Sequence, residues 1–167
     1  MAEKNDSGSG DSHELDPVEL RKALTVSNEF ELEEFKVDIK ISDELKVISF
    51  KYDVKIKALV ETENTNWYFN IPSTKEEVSD VKVTDGVGTL QSKLKPSINN
   101  NSCTLEFNFR QIVKKDDSYS FYYEYLSDAD SLYSSSHINR FVFYNTWFIF
   151  DIHCRSVSVN LQLPKGS

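Results

Sequence analysis

Asp151, His153 and Arg155 alternate along one stretch, the one place in the chain where a carboxylate, an imidazole and a guanidinium line up at strand spacing. Alternate residues of a strand share a face, so such a trio could relay a proton or hold a metal ion. The same spacing arises on the outward face of any strand whose other face is apolar, as with Phe148, Phe150, Ile152 and Cys154 here. A solvated outer face is therefore the expectation for these three residues. His137 follows Ser134, Ser135 and Ser136, which sets hydroxyls beside an imidazole. Chain neighbours seldom aim a nucleophile at its base, and no GxSxG elbow is present. His13 lies in a polar leader.

Cys103 and Cys154 stand 51 residues apart without CxxC or histidine spacing, so no zinc site is read from them. Both fall on the apolar parity of their segments and are expected to be buried free thiols, since a disulfide requires Cα atoms within about 7 Å. GxxxxGK[ST], GxGxxG, HExxH and calcium-loop patterns are missing. The expectation is no catalytic residue, no metal and no cofactor.

Aromatic residues are the compositional excess, with 11 Phe, 8 Tyr and 2 Trp. Rows of them build cores, whereas rings of opposite parity can line a sugar or peptide groove. Tyr122 and Tyr144 have that opposite parity. Together with Trp67, Trp147, Asp151 and His153 they form the candidate binding set.

The elements that would position these residues follow from periodicity. Asp16-Pro17-Val18-Glu19 combines a capping side chain, proline at the first helical position and a glutamate three residues after the cap. A helix of about 17–25 is expected, too short to persist undocked. From Phe35 the period becomes two, with Phe35, Val37, Ile39 and Ile41 on one face. A second stretch turns Phe50, Tyr52, Val54, Ile56, Ala58 and Val60 inward, while Leu45 and Val47 have the other parity, which calls for a bulge near Ile48 or Ser49. Trp67 to Ile71 is a strand stopped by Pro72. Thr84-Asp85-Gly86 signals a hairpin with Val87 to Leu94 returning. Cys103, Leu105, Phe107 and Phe109, then Lys114-Lys115-Asp116-Asp117, then Tyr119, Phe121, Tyr123 and Tyr125 read as a second hairpin. Leu126 to Ile138 reads as a long loop. An aromatic strand from Phe141 toward Cys154 follows, and then Val157, Val159, Leu161 and Leu163 alternate.

About nine strands and one short N-terminal helix, with no crossover helices between them, point to an all-β fold, an antiparallel β-sandwich. Residues 1–14 are expected to be a disordered acidic leader and 15–167 a single domain, itself a piece of a longer protein if the chain continues past its final strand. The chain has 167 residues and a net charge of -8, of which Met1 to Glu34 carries -7. No basic footprint for nucleic acid exists in aggregate. Lys36, Lys40, Lys51, Lys55 and Lys57 would share an outer face, against which Glu29, Glu31, Glu33 and Glu34 could fold back. No apolar run reaches the ~20 residues of a membrane span, and no signal-peptide pattern opens the chain, so a cytoplasmic location is expected, or an extracellular one had a signal been removed. The function these features fit is a noncatalytic interaction or accessory domain whose partner is a protein or another domain of the same parent. The competing reading is a small-ligand or carbohydrate site in an aromatic-lined cleft.

Overall fold

Alternation of apolar and polar residues, the dominant pattern of the sequence, becomes eight strands in a computed structural model that describes residues 29–44, 46–96, 102–129 and 153–165. They are β1 (Phe30–Ile41), β2 (Val47–Ala58), β3 (Asn66–Ile71), β4 (Val78–Asp85), β5 (Ser92–Pro96), β6 (Cys103–Asn108), β7 (Ser118–Asp128) and β8 (Val157–Gln162). One three-residue helical turn, Lys75–Glu77, is the longest helix among the described residues. The expected helix at 17–25 and the leader lie outside them, as do Tyr144, Trp147, Asp151, His137 and the expected aromatic strand before His153.

The strands form two sheets. One has the order β4-β7-β2-β1-β8 and the other β3-β6-β5. Their inner faces meet through aromatic rings: Tyr52 against Phe69 at 4.9 Å between centroids, Phe69 against Tyr123 at 4.8 Å, and Phe121 against both Trp67 and Phe107 at 5.2 Å. Such tilted and edge-on pairs each add about 0.5–1.5 kcal/mol beyond the area they bury. Tyr52 and Tyr125 place their hydroxyls 3.4 Å apart inside this core, which relieves the cost of burying a lone polar group.

The structure corrects the sequence reading in several places. β1 begins at Phe30 rather than Phe35. A bulge between Leu32 and Glu34 lets Leu32 and Phe35 both face inward, which breaks simple alternation. The bulge expected near Ile48 or Ser49 is not there: Ile41 pairs Ile48 and the ladder runs unshifted to Phe35 opposite Val54, with Val47 simply turned outward. Val60 is exposed, because β2 ends at Ala58.

The second expected hairpin does not form, and the first forms only next to its turn, where Thr84 bridges Thr89 antiparallel, without β4 and β5 pairing. The Asp85 turn does close, with Asp85 N–H donating to the Gly88 carbonyl at 2.9 Å and Leu90 N–H to Val83 at 2.8 Å. The chain then crosses to the other sheet, where β5 pairs with β6. Likewise β6 pairs with β3 and β5 while β7 pairs with β2 and β4, so Phe107 and Phe121 face each other across the core instead of lying side by side. Finally, β8 joins β1 in parallel, so the sheet is mixed rather than purely antiparallel.

Cys103 is fully buried on β6 and Cys154 is half-buried beside β1, both as free thiols. Burial pushes the Cys103 thiol up to about 11. Cys103 is therefore expected to resist alkylation at pH 8 in the folded protein and to label fully only in denaturant. Rapid native labelling of Cys103, read by mass spectrometry, would contradict its placement.

Candidate functional site

The outer face of the five-stranded sheet is organised in cross-strand rows. Register places Lys82, Glu124, Lys51, Asp38 and Asn160 in line across β4, β7, β2, β1 and β8. The next row reads Thr84, Tyr122, Asp53, Lys36 and Ser158. Opposite charges directly across a ladder attract, and this face alternates them. It is thus not the lysine-rich surface that the strand patterns suggested. Glu124 meets Lys82 at 3.2 Å and Lys51 at 3.4 Å, and the Lys82 ammonium chiefly, with Lys51 behind it, holds the Glu124 carboxyl below its usual range. The Asn160 amide donates to Asp38 at 3.0 Å.

A groove of about 350 Å³ runs over this face, lined by Asp38, Lys51, Asp53, Lys82, Tyr122 and Glu124. Tyr122 is its one large exposed ring, at 45%. Its outward parity is legible in the sequence. Trp67 is a correction: it is buried at 5% exposure against Phe30, Phe109 and Phe121 on the inner side of the fold. Trp67 and Tyr122 therefore stand on opposite faces and share no cleft.

His153 and Arg155 do converge on a carboxylate, but on Glu31. The Arg155 guanidinium reaches Glu31 Oε1 at 2.5 Å, and His153 Nδ1 lies 3.6 Å from Oε2. Backbone bonds explain the meeting, since Leu32 N–H donates to the His153 carbonyl and Arg155 N–H to that of Leu32, laying this segment along β1. The glutamates do not fold back as an arm. Glu31, Glu33 and Glu34 belong to β1 itself, where Glu33 pairs with Lys55 at 2.9 Å and Glu34 with Lys36 at 2.8 Å.

One polar cluster was not anticipated from sequence beyond its turn. Asp85, with a side chain 3% exposed, accepts five hydrogen bonds. Val87 and Gly88 N–H donate at 2.9 and 2.8 Å, Arg110 at 3.0 and 3.2 Å, and the Tyr119 hydroxyl at 2.7 Å. The Arg110 guanidinium foremost, then Tyr119 and the two amides, hold this carboxyl far below the usual range. Burial, with Asp85 adding to it, pushes the Tyr119 phenol up to about 12. Asp85 thus ties together its own turn amides, Arg110 and Tyr119, so the cluster serves as a brace between the β4 turn, the end of β6 and the start of β7. Among the described residues no three His, Cys, Asp or Glu side chains gather closely enough to hold a metal ion.

The last feature is β8, whose six residues are all exposed. Val157, Val159 and Leu161 pair with Phe35, Val37 and Ile39 and so lie on the inner-face side of the sheet, with exposures of 50%, 53% and 41%. Among the described residues no strand pairs with its outer edge.

These features describe a two-sheet, nearly all-β chain with no helix among the described residues long and apolar enough to cross a membrane. No family model and no curated protein matches the sequence. Among solved structures, yeast LTA4 hydrolase is similar over 59% of this chain and 14% of its own, at 15% identity and a TM-score of 0.44. An M1 zinc metallopeptidase from Deinococcus radiodurans is similar over 60% of this chain and 21% of its own, at 6% identity and a TM-score of 0.44. The chain thus spans less than a quarter of the length of either protein.

Proposed function

We propose that this chain is a noncatalytic β-sandwich that works as an interaction domain, binding another polypeptide through the edge of β8 that no strand among the described residues covers. The observation that supports this reading is the contrast between β8 and the other sheet edges. Unpaired edges invite pairing, and proteins blunt them with charge, proline or bulges. β4 carries a bulge between Ser79 and Lys82, with Asp80 at φ 51. β5 carries Lys93, Lys95 and Pro96. β3 keeps its side chains buried or half-buried. β8 has no charged residue, no proline and no bulge between Val157 and Gln162, yet exposes three aliphatic side chains.

The test is a comparison of two lysine variants of the whole chain as bait. Val159→Lys charges the edge, whereas Val87→Lys adds the same charge at a turn residue already 79% exposed. A polypeptide bound by the wild type and by Val87→Lys but lost by Val159→Lys supports the reading. An identical set of bound polypeptides for all three overturns it. The small-ligand alternative retains Tyr122 and its groove but not the aromatic cleft, since Trp67 is in the core.

A further inference from the structure

Resting on the interaction-domain reading, we infer that the polypeptide β8 accepts is β8 of a second copy, paired antiparallel about a two-fold axis through Val159. The backbone bonds set the geometry. Phe35 N–H donates to the Ser156 carbonyl, and β8 then runs parallel to β1 with Val157, Val159 and Leu161 opposite Phe35, Val37 and Ile39. In a parallel ladder one set of alternate residues turns its N–H and C=O groups to the neighbour. Ser156, Ser158, Asn160 and Gln162 are that set, so the N–H and C=O groups of Val157, Val159 and Leu161 point to the edge that no strand among the described residues covers.

The side chains are self-complementary in this register. Antiparallel pairing centred on Val159 sets Val159 opposite Val159, Val157 opposite Leu161 and Ser158 opposite Asn160, aliphatic against aliphatic and polar against polar. No charge lies in Val157–Gln162 to repel its own image. A two-fold axis perpendicular to the sheet also keeps the aliphatic residues of both copies on one face, because successive residues alternate faces and paired residues share them. The two five-stranded sheets would become one of ten. A contact of one strand pair falls below about 1,200 Å², the size class of weak and transient association, so a dissociation constant on the order of 10–100 μM is expected.

Sedimentation equilibrium of the full chain from about 5 to 500 μM reads this directly. Dimerisation is expected for the wild type and for Val87→Lys. Val159→Lys places like charges directly opposite each other at the axis and is expected to weaken association at least about fivefold. A wild type that stays monomeric across the range overturns the inference, and so does a dimer indifferent to Val159→Lys. Amide exchange of the wild type keeps the test independent of any variant's folding. Protection of Val157, Val159 and Leu161 should rise with protein concentration while that of Ser158 and Asn160, already bonded to β1, stays constant. Concentration-independent protection of all five overturns the inference. A monomer that still loses a captured polypeptide on Val159→Lys leaves the interaction-domain reading standing and removes only the second copy as partner.

Discussion

Truncating Phe121 to alanine is expected to lower unfolding stability by about 3–5 kcal/mol, the range for removing a fully buried aromatic ring. Phe121 is 0% exposed and lies within 5.2 Å of both Trp67 on β3 and Phe107 on β6, so its ring bridges the two sheets. Phe109, at 5.5 Å, would line the same cavity. Domains of this size hold only about 5–15 kcal/mol in total, so the variant should sit near the edge of folding at 37 °C. Urea midpoints measured beside Tyr122→Ala make the test sharp, because that neighbour points to the outer face and should cost about 1 kcal/mol or less. Equal losses for the two variants would mean that the face assignment of β7 is wrong.

Removing the Asp85 carboxylate is expected to cost about 1–3 kcal/mol at pH 7, since Arg110, Tyr119 and two turn amides lose their common acceptor. The larger effect is on pH dependence. The folded-state pKa of Asp85 is depressed, so its contribution is fully present above the ordinary aspartate value of about 3.9 and is lost as pH falls below it. The wild type should therefore lose stability more steeply than Asp85→Asn between about pH 4 and pH 2, the two converging at the acid end. Parallel curves for the two proteins over that window would show that Asp85 is not held by this brace. Asp85→Asn keeps the size and one acceptor, which separates charge from packing.

Both predictions rest on features that a one-dimensional pattern shows only in part. The parity of Phe121 and Tyr123 against Tyr122 is visible in the sequence, because a strand with one buried face must alternate. That is why the inward rows of β1, β2, β6 and β7 and the outward ring of Tyr122 are legible from residues alone. The Asp85 turn is legible for a similar local reason: a short acceptor side chain followed by glycine favours a turn whatever surrounds it. Its partners are not. Arg110 and Tyr119 reach Asp85 from 25 and 34 positions away, and no spacing marks them.

The start of β1 shows a different limit. The bulge at Leu32 to Glu34 inserts one residue into the ladder, which breaks the alternation so that the sequence pattern begins five residues late, at Phe35. Trp67 shows another, since a ring that could line a cleft and a ring that fills a core have the same type and the same parity.

What the sequence determined by itself was the kind of element and the buried side of each, because alternation is a local demand of any half-buried strand. Which strand lies beside which was decided only by tertiary structure. A strand turns the same face to the core whether its chain neighbour sits next to it in one sheet or opposite it in the other. Phe107 and Phe121 therefore look like a hairpin in the sequence and meet as facing layers in the fold. The same holds for β8, whose alternation could have served a core but instead continues the inner face of the sheet, in parallel with β1, to an edge left open among the described residues.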